Sequence, residues 1–171
     1  MKMKLAHFRI FSLVFITGVL LSSCSKDDTA TDAIVGTWTA GTSTASIMVG
    51  SMTLTQYYID VMGATAEEAQ MYADLFNAFI TQSFAGTITV KADNTYTSNM
   101  GGSADTGTWS LNPDRTELTI TSSTDGPMTF DVLELTASKM RIHAVETTSE
   151  DLNADGTLES ITIELEVTFT K

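Results

Sequence analysis

The chain has one cysteine, two histidines and nine basic residues among its 171. A lone thiol cannot close an internal disulfide, so no covalent staple organises the fold. His7 lies in the N-terminal leader described below, which leaves His143 as the one histidine beyond it. Zinc sites and Cys–His nucleophile pairs both need more than that. The bases are outnumbered by 21 acids, for a formal net charge of −12. Such a surface repels phosphate backbones and anionic headgroups, which excludes nucleic acid as a partner and leaves cations or cationic partners. Long apolar runs are scarce too. Ile10 to Leu21 is mostly apolar, shorter than the roughly 20 residues that cross a bilayer.

What is present at the start has an export layout. Lys2, Lys4 and Arg9 precede the apolar run, and Leu21-Ser22-Ser23 leads into Cys24. Signal peptides have this order, a plain transmembrane anchor being the alternative reading. Leu-Ser-Ser-Cys resembles the bacterial lipobox. That resemblance implies lipidation of Cys24 with acyl chains such as palmitate and removal of residues 1–23 as a lipoprotein signal peptide. Residues 24–33 then form an acylated flexible tether. Each buried acyl methylene contributes about 0.8 kcal/mol, so two or three chains anchor without a spanning helix. The alternative is a free thiol. Loss of the leader removes three of the nine bases and none of the 21 acids. Ser25-Lys26-Asp27-Asp28 resembles the acidic export signal of Bacteroidota surface lipoproteins, which implies the outer face of the outer membrane. An ordinary solvated tether would have the same composition.

Beyond the tether the chain suits one domain, 34–171. Ile34 to Trp38 reads as a first strand and Ala45 to Val49 as a second, short one. The period then changes. Thr65-Ala66-Glu67-Glu68 is a capping box, and Met71/Tyr72, Leu75/Phe76, Phe79/Ile80 and Phe84 recur at helical spacing, predicting an amphipathic helix over 66–83. A shorter helix over Leu54 to Met62, ended by Gly63, completes a helical insert at about 52–84. From Gly86 the period is two. Turns at Ala92–Thr95, Asn112–Arg115 and Asp125–Pro127 separate strands carrying Ile88/Val90, Tyr96, Trp109, Leu118/Ile120, Met128/Phe130/Val132 and Met140/Ile142. In the last strand Ile161, Ile163, Leu165, Val167 and Phe169 share one face. About eight short sequential strands with one wet face make an antiparallel meander, and closure removes its edges. The expected fold is mainly β, an up-and-down barrel with the helix-turn-helix after the first strand and against one end.

Gly36-Thr37-Trp38 is similar to the Gly-x-Trp signature of lipocalins and fatty-acid-binding proteins, and the helical insert resembles the lid of the latter. With Lys91–Tyr96, Gly107–Leu111 and Glu117–Ile120, residues 34–171 resemble the bacterial lipocalin-like domain of Bacteroidota lipoproteins. The resemblance implies that Trp38 plugs the closed end of the barrel under a charged side chain, for which Arg141 is the candidate. Trp38, Trp109 and Phe130 are the candidate ligand-contacting residues. Large rings on a strand's buried face are usually core packing, which is the competing reading. The expected interior (Trp38, Ile88, Val90, Tyr96, Trp109, Leu118, Phe130, Ile142, Ile163, Val167) is bulky, and eight strands enclose side chains or one small ligand. Met48, Met52, Met62 and Met71 would form an adaptable apolar rim beside the helices, or fill core gaps.

Chemistry-bearing residues are few. Asp151-Leu152-Asn153-Ala154-Asp155-Gly156-Thr157-Leu158-Glu159 places Asp151, Asn153, Asp155, Thr157 and Glu159 at the spacing of calcium ligands in an EF-hand loop. Thr162 stands where a bidentate Glu is expected, and strands flank the loop, so a polar hairpin is the competing reading. His143 should be solvent-facing beside Lys139 and Arg141. Glu164 and Glu166 sit about 7 Å apart on one strand face, as surface acids commonly do. The expected protein is therefore not an enzyme. It is a lipid-anchored, surface-exposed lipocalin-like domain that binds a small apolar ligand or a partner, or a structural accessory with a fully packed barrel. A cavity above about 300 Å³ would favour the ligand.

Overall fold

A computed structural model describes residues 33–171; the signal peptide, the lipobox and most of the tether lie outside the described residues. The strands are β1 (Gly36–Val49), β2 (Met52–Thr53), β3 (Gly86–Val90), β4 (Thr95–Met100), β5 (Ser103–Leu111), β6 (Glu117–Ser122), β7 (Gly126–Leu135), β8 (Lys139–Glu150) and β9 (Glu159–Thr170). Two helices, α1 (Leu54–Asp60) and α2 (Ala66–Ser83), separate β2 from β3. Every pairing is antiparallel, and from β3 to β9 each strand pairs with the next. β1 closes the ring. Gly36–Thr39 pairs with β3, and Thr39–Val49 pairs with β9. The result is an eight-stranded up-and-down barrel with β2 as a short extra strand on the far end of β1.

Residues 45–49 are thus not a separate strand but the far half of β1. The alternation breaks because β1 carries an extra residue between Ala40 and Ser43, which face Phe169 and Val167 respectively. Such a bulge shifts side-chain parity by one. Trp38 and Ile47 therefore both point inward although one number is even and the other odd. A second bulge on β7, between Val132 and Glu134, lets Leu133 turn outward while Val132 and Leu135 both pack on the core.

The barrel interior is filled by Trp38, Val90, Tyr96, Trp109, Leu118, Phe130, Met140, Ile142, Leu165, Val167 and Phe169, with Ile34 below Trp38's strand. Gly107 makes room for one of these. A Cβ there would collide with the Thr121 carbonyl oxygen and press on the Tyr96 ring, which lies across the strand from it. Strand glycines commonly mark such close approaches.

β8, β9 and β1 outrun the other strands. Their far ends pair only with one another, and with β2 at the edge of β1. The inward face of this extension carries a second core. Ile47, Val49 and Ile161 meet Leu54 and Tyr57 of α1 and Ala73 of α2, with Met52, Tyr58 and Ile163 packed alongside. Ile163 thus belongs under the helices rather than in the barrel centre. The five apolar residues of β9 share one face, as the alternation predicts, but they serve two interiors.

Thr53 caps α1 through its side chain, and Thr65 with Glu68 forms the complete capping box of α2. α1 ends at Asp60, two residues before the predicted limit, while α2 matches its predicted span.

Candidate functional site

At one end of the barrel Trp38 is fully buried, and its indole N–H donates to the Ile34 carbonyl at 2.6 Å. The cation above its ring is Lys171, with Nζ 4.2 Å from the ring centroid. The expectation that Arg141 fills this place is overturned. Arg141 sits on the outer face of β8, bonded to Glu166 at 3.0 Å. β9 runs antiparallel to β1 and ends beside its first residues, so the ammonium of Lys171 reaches back and donates to the carbonyls of Ala33 and Val35, each at 2.7 Å. A Cβ on Gly36 would meet the Lys171 side chain at 2.8 Å, and Gly36 holds a φ of +140° that other residues rarely adopt. Burial holds the Lys171 pKa below its ordinary value. Trp109 and Phe130, the other candidate ligand contacts, are buried in the same core, and the Trp109 N–H is consumed by the Lys91 carbonyl.

The outer face of β7–β8–β9 carries a ladder of ion pairs. Lys139 and Arg141 meet Glu134, and Arg141 also meets Glu166. His143 is not freely exposed as its alternation suggests. It lies between Glu164, 3.0 Å from Nε2, and Asp131, 3.4 Å from Nδ1. The hydrogen bond to Glu164 first, with the bond to Asp131 and both carboxylate charges adding, raises its pKa against the opposing effect of desolvation. Glu164 and Glu166 therefore hold separate bases and do not act as a pair. On the same strand as His143, Glu146 takes the inward parity, and desolvation raises its pKa.

The acidic stretch 151–158 is the hairpin loop between β8 and β9. Its oxygens turn onto the loop's own amides. Asp151 accepts from the N–H groups of Asp155 and Gly156, Asn153 from that of Asp155, and Asp155 from that of Thr157. These bonds to Thr157, with those to Asn153, hold the Asp155 carboxyl below the usual range. Glu159 leaves the group: it accepts from the Leu152 N–H at 2.9 Å and from the Tyr57 hydroxyl at 3.0 Å, which ties the loop to α1. Desolvation, then the bond to Glu159, pushes the Tyr57 pKa up to about 12. Among the described residues no three His, Cys, Asp or Glu side chains gather in a metal-holding group.

α2 presents the largest departure from expectation. The residues it buries are small, Ala69 and Ala73, with Ile80 and Phe84 half-covered on the barrel. Its big apolar side chains face water: Met71, Tyr72, Leu75, Phe76 and Phe79 are all exposed, Leu75 to 68%. Val61 and Met62, just before the helix, are exposed as well. Of the four methionines expected at a rim, only Met52 packs in the second core. A shallow groove of about 560 Å³ lined by Ala66, Glu67, Gln70, Met71 and Asp74 runs along this helix, outside the barrel. The stripe is visible in the sequence as a helical period; its direction is not, because a period does not say which face of the helix meets the sheet.

No protein-family model matches the chain, and no curated protein is similar to it at a meaningful level. Among solved structures the chain is similar to a DUF4847 family protein from Bacteroides vulgatus ATCC 8482, with 12% identity and a TM-score of 0.39. The alignment covers 81% of this chain and 93% of that one.

Two measurements follow from these contacts. Lys171→Met removes the cation from Trp38 and two carbonyl bonds, and should lower unfolding free energy in urea by about 1–2 kcal/mol; Arg141→Met, on the wet outer face, should cost less. For His143 the folded pKa lies above the unfolded value of 6.5. Its contribution is therefore complete below about pH 6.5 and fades as pH rises through the folded value. His143→Gln should destabilise the protein at pH 5 and much less at pH 9, read as melting temperature across that range.

Proposed function

We propose that this chain is a lipid-anchored, non-enzymatic lipoprotein of the outer membrane surface whose barrel is a filled scaffold for a contact surface on α2. The observation that carries the reading is the inverted helix. Its small residues pack inward while Met71, Leu75, Phe76 and Phe79 are exposed, with Tyr72 beside them resting one face on Tyr58. Monomeric proteins rarely leave such a patch uncovered, and patches of this kind mark contact sites. The filled interior supports a scaffold over a ligand carrier, since the residues that would line a lumen occupy it. Lipidation at Cys24 rests on the lipobox resemblance, and surface display on the acidic stretch after it.

Metabolic labelling with an alkyne fatty acid should mark the native chain and fail on Cys24→Ser. On intact cells, Leu75→Cys should react with a membrane-impermeant maleimide more slowly than Asp114→Cys in the exposed turn between β5 and β6, and the two should react alike once the protein is purified and diluted. Equal rates on cells would show that nothing covers the stripe and would remove the reading.

Calcium at the β8–β9 loop is a second reading, supported by the oxygen order at Asp151, Asn153 and Asp155 and by the left-handed φ of 89° at Gly156. A cation there competes with the amides that these carboxylates already accept from. Heat on calorimetric titration and a raised melting temperature at millimolar Ca²⁺ would carry it; neither would end it.

A further inference from the structure

We infer that the occupant of the α2 stripe is α2 of a second copy of this chain, laid antiparallel across a two-fold axis. This rests on the contact-surface reading above and names its partner. The stripe is self-complementary. An axis crossing the helix between Leu75 and Phe76 brings Leu75 onto the partner copy's Phe76 and Tyr72 onto its Phe79, and the reverse, as an isologous interface requires. A repeat of apolar pairs four residues apart has this property about its own midpoint; Met71 lies outside the four residues that meet.

Charge disfavours a membrane surface and selects the antiparallel orientation. Residues 51–90 contain no Lys or Arg, and the acids are Asp60, Glu67, Glu68 and Asp74. Helices that lie in a membrane interface carry bases on their polar face; this one would be repelled by anionic headgroups. In a parallel pair Glu67 and Glu68 would meet their own copies. In the antiparallel pair they lie beside the neutral Gln82-Ser83-Phe84 end, and the two helix dipoles oppose one another.

The area sets the strength. Five exposed side chains of this size offer on the order of 500 Å² per copy, so the pair buries about 1,000 Å², the lower limit for a biological interface. The dimer is therefore weak in dilute solution. Copies tethered to one membrane share a raised effective concentration, which favours the pair without any new contact.

Oxidative cross-linking of the full chain in its host membranes tests this. Glu68→Cys and Ser83→Cys made in one chain, or coexpressed on two, should give a product of twice the mass. Either substitution alone should not, because in an antiparallel pair the two equivalent sulfurs lie about 22 Å apart along the helix, beyond disulfide reach. Adding Leu75→Lys, or Phe79→Lys as an independent exposed variant, should cut the product at least about tenfold, with protease resistance checking that the fold persists. No product from the 68/83 combination, equal product from Ser83→Cys alone, or indifference to both lysine variants would overturn the inference. A stripe shielded on cells without the 68/83 product would overturn the second copy alone and leave a different protein as the occupant.

Discussion

Everything else in this molecule depends on β1 pairing along both edges. Its first four residues bond to β3 and the rest to β9, so the meander has no free seam where it begins and ends. A strand edge left open would present a row of unpaired amides and carbonyls to other chains. A strand serves two neighbours through its two edges, and the extra residue between Ala40 and Ser43 bends β1 where pairing with β3 gives way to pairing with β9. The bulge also resets parity, so that the inward face of β1 runs without a break from Trp38 to Val49. Lys171 then fastens the joint from below, reaching from the end of β9 to the carbonyls at the entry of β1.

The unequal strand lengths have a consequence for the helices. Because β8, β9 and β1 continue past the ring, their inward face would be wet without a cover. α1 covers it through Leu54 and Tyr57, and α2 through Ala73, with Ile80 and the cap residue Phe84 resting on the barrel core. Small side chains let a helix sit close, but they bury little area, at about 25 cal/mol per Å². α2 is therefore held by a modest internal contact while carrying a larger apolar area outside. Helical stability in proteins comes mostly from packing of an apolar face, and the main apolar face of this helix is the one that the folded domain leaves uncovered.

Much of the fold was legible from periodicity. The barrel, the two helices, the capping box at Thr65 and Glu68, and the common face of Ile161 to Phe169 all follow from local spacing, because backbone geometry alone sets periods of two and 3.6. The bulges left a trace as well, in the parity change between Trp38 and Ile47 and in the adjacent apolar pair Val132-Leu133. What stayed hidden were contacts between residues far apart in the chain: Lys171 on Trp38, Tyr57 on Glu159, and His143 between Asp131 and Glu164.

By itself the sequence determined that strands alternate, that they close, and which side chains on them are apolar, since each is a property of neighbours along the chain. Only the tertiary structure decided which cation covers Trp38, and that one row of apolar residues is divided between two cores. It also decided that α2 turns most of its large side chains away from both. A period says that a helix has two faces; which of them meets the sheet depends on how the rest of the chain holds it, and here Ala69, Ala73 and Ile80 turn inward.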